Sequence, residues 1–83
     1  MEPVNFEAAN VVFGANQPEY KPLPAEHCGG KYGQINTLWE LSPEELKQVQ
    51  EIGKIWLSVL TFGQPLQPVF VAVDKPEPYD AEE

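Results

Sequence analysis

Residues 39–73 constrain the fold most, because they combine a well-marked helix with two apolar segments. The Ser42 side chain can accept a hydrogen bond from the Glu45 backbone N–H while the Glu45 carboxylate reaches back to the Ser42 N–H, which is a capping box. Pro43 suits the first helical position, where its missing N–H is not needed. Gly53 can adopt the left-handed conformation that ends a helix. The sequence therefore predicts a helix that starts at Pro43 and stops before Gly53.

The residues after Gly53 are predicted to form a β-hairpin. Residues 54–62 are rich in β-branched and aromatic side chains, and both of their alternating faces are apolar, which is typical of a central strand. A glycine and two prolines in residues 63–68 predict a rigid turn, and residues 69–73 should return as an antiparallel strand. The alternative is a helix that continues through Gly53 as far as Leu60, because apolar residues here also fit a heptad-like spacing.

The first half of the chain is predicted to contain extended segments. An apolar patch indicates a strand around residues 10–13, and the prolines in residues 20–25 favour an edge strand or a polyproline-like segment. Three glycines within residues 26–33 predict a loop or hairpin tip. Residues 34–41 alternate in a way that predicts one strand leading to the helix, with the odd-numbered side chains on one face.

Together these elements predict an α+β fold. A small antiparallel β-sheet of three to five strands packs against a single short α-helix, in the order β–β–β–α–β–β. The length of 83 residues allows one small domain with a limited hydrophobic core. We assign residues 1–75 to this domain, with a loop-rich part at 1–33 and a β–α–β–β core at 34–73. The acidic tail at 76–83 is predicted to be disordered.

The charge and composition exclude several classes of function. Thirteen acidic residues against five lysines and no arginine give a net charge of −8, which repels nucleic acid and removes the bidentate grip of arginine on phosphate. The single cysteine, Cys28, makes no intramolecular disulfide and favours a reducing compartment. A basic leader and a membrane-length apolar run are both missing. We therefore expect a cytoplasmic protein that binds neither membrane nor nucleic acid directly.

Catalytic and metal-binding patterns are weak. His27 and Cys28 are adjacent and could suggest an activated thiol or a zinc ligand pair, but the chain has one histidine and one cysteine and a zinc site needs four ligands. The glycines in residues 29–33 lack the Lys-Ser/Thr ending of a phosphate-binding loop. Glu44 and Glu45 are accounted for by the helix start. We therefore expect a protein that is not an enzyme, without a cofactor or a metal ion.

Large aromatic residues are the strongest candidates for a binding surface. In a domain this small their default place is the core, but a sheet face left uncovered by the single helix would bind a protein partner or a second copy in a homodimer. The candidate partner-binding residues are Trp39, Trp56, Phe62, Pro65 and Phe70.

Part of the sequence resembles a known group of proteins. The strings LWELS at residues 38–42, GKIWLS at residues 53–58 and TFGQPLQP at residues 61–68 stand in the order found in short uncharacterised proteins encoded by tailed bacteriophages and prophages. The pair Leu23-Pro24 is similar to a short motif upstream in that group. Many of its members carry a cysteine where this chain has Leu38, so no role of that thiol is transferred. The resemblance implies a phage accessory protein made in the bacterial cytosol, and no mechanism.

The leading hypothesis is a non-enzymatic phage accessory protein that binds a host or phage protein. A specific version is an acidic decoy that occupies a basic nucleic-acid-binding groove. One alternative is a nucleotide-sequestering protein, in which an aromatic residue stacks on a base while Lys31 or Lys54 meets the phosphate. Another alternative is a minor component of the virion or of the DNA-packaging machinery.

Overall fold

Five short β-strands precede one α-helix in a computed structural model that describes residues 1–19 and 21–78. The elements are β1 (Glu2–Val4), β2 (Val11–Phe13), β3 (Leu23–His27), β4 (Ile35–Asn36), β5 (Leu38–Glu40) and α1 (Pro43–Ile52). The strands form a two-stranded sheet of β1 and β5 and a three-stranded sheet in the order β2–β3–β4, all antiparallel. The predicted α+β class is confirmed, with two small sheets in place of one.

The two-stranded sheet brings the beginning of the chain beside the strand that leads into the helix. Glu2 pairs with Glu40, so two carboxylates face each other across the sheet, an arrangement that destabilises a strand pair. Lys21 offsets this repulsion, because its Nζ lies 2.9 and 2.8 Å from the two carboxylate oxygens of Glu2. The hydrogen bond from Lys21 and its charge lower the pKa of Glu2.

The three-stranded sheet is centred on β3. Val12 pairs with Pro24, and a proline is tolerated there because β4 pairs only with the last two residues of β3 and leaves the proline nitrogen on an open edge. A hairpin joins β3 to β4, closed by a hydrogen bond of 2.9 Å from the Cys28 N–H to the Gln34 carbonyl oxygen. The predictions of a strand around residues 10–13 and of a glycine-rich hairpin tip are confirmed. The prediction of an edge strand or a polyproline-like segment at residues 20–25 is wrong for residues 23–25, which belong to the central strand β3.

The single strand predicted over residues 34–41 is wrong. The chain forms β4 and β5 in different sheets, with Thr37 between them. Asn36 is buried while Ile35 and Trp39 stay about half exposed, so the even-numbered side of β4 faces inward. The prediction counted apolar side chains alone. The burial of Asn36 is instead stabilised by the hydrogen bonds of its side chain, which are described below.

The helix has the bounds that the sequence predicts. The Ser42 hydroxyl accepts a hydrogen bond from the Glu45 N–H at 3.2 Å, and the Glu45 carboxylate accepts one from the Ser42 N–H at 2.9 Å. Gly53 has a φ of 64° and its N–H donates to the Val49 carbonyl oxygen at 2.7 Å, so the helix ends there. The alternative of a helix that continues past Gly53 is therefore wrong. No residue of α1 is buried, and Leu46 in its apolar stripe is half exposed.

The β-hairpin predicted after the helix is also wrong. Neither residues 54–62 nor residues 69–73 form a strand, and the predicted order β–β–β–α–β–β loses its last two strands. β-propensity measures how a side chain fits a pleated and partly buried surface, and the large apolar side chains here keep about half or more of their surface exposed. Pro65 and Pro68 add two backbone nitrogens that cannot join a ladder of hydrogen bonds.

The hydrophobic core is very small. Among the described residues, Ala25 of β3 is the one fully buried apolar residue, with 0% exposure. Burial of apolar surface is the dominant favourable contribution to folding, so the single chain gains little of this stabilisation. The apolar surface that stays exposed lies mainly in the segment after the helix.

Candidate protein-binding loop

The segment of residues 54–73, which we call the apolar loop, contains most of the large apolar side chains that stay exposed. Residues 55–73 carry no charged side chain. Trp56 is 97% exposed, Phe62 is 89% exposed and Phe70 is 79% exposed. A monomeric protein rarely leaves so many large apolar side chains in contact with water, so this segment is the strongest candidate for a contact surface.

A tight turn shapes the middle of the apolar loop. The Gln64 N–H donates to the Thr61 carbonyl oxygen at 3.0 Å, and the two residues between them, Phe62 and Gly63, have φ values of 54° and 81°. A left-handed conformation is free for glycine but costs about 1 kcal/mol or more for a residue with a side chain. Strain of this kind is found most often at functional sites, and here it lies on one of the most exposed aromatic residues.

Hydrogen bonds and an ion pair fix the far end of the apolar loop to the three-stranded sheet. Lys75 Nζ lies 3.1 Å from Glu26 Oε1, and Gln34 Nε2 donates to the Glu77 carbonyl oxygen at 3.2 Å. The near end is fixed by the helix that stops at Gly53. The apolar loop is therefore held at both ends, and its 20 residues form neither helix nor strand. Residues 79–83 of the predicted tail lie outside the described residues.

A partly buried side-chain cluster around Asn36 supports this attachment. Asn36 is 8% exposed, and its Nδ2 donates to Glu26 Oε1 at 3.1 Å and contacts Cys28 Sγ at 3.6 Å, while its Oδ1 accepts from Gln34 Nε2 at 3.2 Å. The hydrogen bond from Asn36 lowers the pKa of Glu26, and the one from Lys75 adds to the effect. Sequence reasoning missed this cluster, because its members are far apart in the chain and share no motif.

Four of the five candidate partner-binding residues lie on the apolar loop: Trp56, Phe62, Pro65 and Phe70. Trp39 lies apart from them in β5, where it pairs with Pro3 and donates its indole N–H to Thr37 Oγ1 at 2.9 Å. The interpretation of the aromatic residues as core is wrong for the three on the loop and incomplete for Trp39, which is 45% exposed.

The structure gives little support to chemistry at His27 and Cys28. Burial raises the pKa of the Cys28 thiol, with a further contribution from the Glu26 carboxylate, and this lowers the thiolate fraction at neutral pH. The backbone of His27 exchanges hydrogen bonds of 2.8 and 3.1 Å with the Asn10 side chain. Within residues 1–19 and 21–78 there is no cluster of three metal-ligating side chains.

Two open clefts lie on the described surface. The larger, of about 620 Å³, separates the two-stranded sheet from the helix start and is lined by Met1, Glu2, Glu40, Leu41, Ser42, Pro43, Glu45 and Leu46. The terminal amine of Met1 contacts Glu45 Oε2 at 2.5 Å, and this hydrogen bond lowers the pKa of Glu45. The smaller, of about 270 Å³, lies within the apolar loop, between residues 59–61 and residues 64–67.

The charge of the larger cleft does not favour the nucleotide alternative. Three glutamates line the larger cleft, and their negative charge opposes a phosphate group. Lys31 lies over the ring of Tyr32, with Nζ 5.3 Å from the ring centre, so its nearest aromatic contact is within the hairpin tip itself.

Comparisons with known proteins give no relative: no family model, no curated protein and no solved structure matches this chain. In the part of the chain that the structure describes, no helix combines the length and the apolar character needed to cross a membrane.

Proposed function

We propose that this chain is a non-enzymatic accessory protein of a tailed bacteriophage, acting in the bacterial cytosol by binding another protein through the apolar loop. The observation that carries the proposal is the near-complete exposure of Trp56, Phe62 and Phe70 on one uncharged segment. The phage origin is supported by the sequence strings within residues 38–68 that resemble tailed-phage proteins.

The length of the apolar loop supports a role in binding. Loops longer than about 12–15 residues without secondary structure are uncommon in small domains, and those that are ordered are usually functional. This loop spans residues 54–73 and is fixed at Gly53 and at Lys75, so both of its ends are attached to the folded body, residues 1–53. Fixing the ends reduces the conformational entropy that a binding event would have to remove.

The residue types support a protein partner over a small ligand. Tryptophan is strongly enriched among the residues that dominate protein interfaces, and aromatic residues in general are more frequent at interfaces than elsewhere on the surface. The described acidic side chains all lie outside the apolar loop. A partner could therefore contact apolar side chains on the loop and acidic side chains, the acidic surround, on the rest of the surface. In the decoy version of the proposal, this acidic surround speeds association with a basic partner.

A photo-crosslinking amino acid at position 56 tests the proposal in phage-infected bacteria that produce the protein. The matched control carries the same amino acid at position 32, where Tyr32 is also exposed but lies on the hairpin tip. We expect protein adducts from position 56 and few from position 32. A chain that forms no protein adduct from position 56 would refute binding through the apolar loop.

A further inference from the structure

We propose that the partner covering the apolar loop is a second copy of this chain, so that the working form is a homodimer with the two loops at its interface. This inference rests on the proposed function, because it names the partner of the same surface. Three features of the chain support it: the excess surface of the single chain, the exposed apolar side chains in residues 1–53, and the absence of charged side chains from residues 55–73.

The single chain exposes far more surface than a compact protein of its mass. Its accessible surface is 7434 Å² for 9.3 kDa, whereas a compact monomer of that mass exposes about 5,000 Å². Allowing the six residues outside the described ranges the full surface of an unfolded chain still leaves an excess of about 1,300 Å². Its radius of gyration is 14.5 Å, against about 12 Å for a compact domain of this length.

This excess matches the size of a permanent interface. If two copies each cover about 1,300 Å², the dimer buries about 2,600 Å², inside the range of roughly 2,000–5,000 Å² for obligate homodimers. Crystal-like or transient contacts usually bury less than about 1,200 Å². The surface that one chain leaves open is therefore enough for a stable dimer.

The folded body also exposes apolar side chains that a partner could bury. Leu46 and Ile52 of the helix are half exposed, and so are Ile35 of β4 and Leu38 of β5. In one copy each of these side chains keeps about half of its surface open to water. A second copy brings both a loop and a matching body surface, and a twofold interface uses the same patch on each subunit.

The charge distribution allows two copies to approach and sets the sign of the salt dependence. Each chain has a net charge of −8, so two copies repel, yet residues 55–73 are uncharged and place no carboxylates at the proposed contact. Added salt screens the remaining repulsion between the bodies. Self-association should therefore strengthen as salt increases, whereas binding to a basic partner should weaken.

The test is light scattering on the purified chain during size-exclusion chromatography, at low and high salt and across a concentration series. We expect a particle of twice the 9.3 kDa chain mass, with a dissociation constant that falls as salt rises. Trp56→Ala should weaken the dimer about thirtyfold or more, as expected for a central interface tryptophan. Tyr32→Ala, on the exposed hairpin tip, is the matched control and should leave the dimer intact.

The outcomes separate this inference from the proposed function. A monomer at every concentration, a particle of three or more chains, or a dimer that Trp56→Ala does not weaken would each overturn the homodimer. Crosslinking from position 56 then reports on the proposed function. Adducts with another protein would preserve loop-mediated binding and remove the second copy, whereas the absence of any adduct would refute both.

Discussion

The body of the protein, residues 1–53, and the apolar loop, residues 54–73, differ in how far their backbone and side-chain groups form contacts within the chain. The body has few buried apolar side chains, but its strands pair, its helix is capped at both ends, and Asn36 closes a hydrogen-bonded cluster. The loop is richer in apolar residues than the body, yet it forms no paired strand and stays exposed. Apolar residues therefore form a regular helix or strand only where another part of the protein covers their side chains.

The largest effect is expected from removing the apolar character of the loop. Replacing residues 55–73 by a glycine- and serine-rich segment of equal length should weaken association about 1,000-fold or more, because every candidate anchor of the loop is lost. Sedimentation equilibrium would measure the change, with Tyr32→Ser as the control. An altered chain that still associates as tightly as the original would assign the contact to the body.

The next effect tests the partly buried cluster around Asn36. Asn36→Ala removes the side chain that joins Glu26, Gln34 and Cys28, and should lower the free energy of unfolding by about 1–3 kcal/mol, because a buried side chain loses its hydrogen bonds, one of them to a carboxylate. Asn16→Ala, at an exposed turn, should change it by less than about 0.5 kcal/mol. Urea denaturation would measure both, and equal effects would contradict the role of the cluster.

A smaller effect compares two serines directly. Ser42→Ala removes the helix cap and should lower the free energy of unfolding by about 1 kcal/mol. Ser58→Ala lies in the exposed loop and should stay within about 0.5 kcal/mol. Thermal and urea denaturation would compare the two variants. A cost at Ser58 that equals the cost at Ser42 would indicate structure in the loop that the single chain lacks.

The smallest effect concerns pH. The pKa of Glu26 is lowered below its ordinary value of 4.5, first by Asn36 and then by Lys75. Because the folded pKa is depressed, the stabilising contribution is complete above pH 4.5 and is lost as pH falls through the folded pKa. A carboxyl-carbon NMR titration should show that Asn36→Ala and Lys75→Met each raise the pKa of Glu26. A pKa of Glu26 that neither variant raises would contradict this attachment.

The sequence predicted local features well. The helix start and stop follow from side chains within a few residues of Ser42 and Gly53, so their partners are visible in the sequence itself. The glycine-rich hairpin tip follows from the conformations that glycine permits. These features need no information about distant parts of the chain.

Features that depend on distant contacts were not predicted. The strand β1 and the pairing of Pro3 with Trp39 join residues far apart, and the inward side of β4 is decided by Asn36. The two strands predicted after the helix are wrong because residues of high β-propensity form a strand only where their side chains have a surface to pack on. The partner-binding role of the candidate residues in the loop stays a prediction, which rests on the frequency of large aromatic side chains both in cores and at interfaces.

The most direct test of the account is the environment of Trp56 in solution. The chain has two tryptophans, so a Trp39→Phe variant reports on Trp56 alone. The account predicts that indole emission shifts to shorter wavelength and becomes protected from acrylamide as the protein concentration rises. Emission typical of a water-exposed indole at every concentration, and unchanged in infected-cell extract, would contradict the claim that the apolar loop is a binding surface.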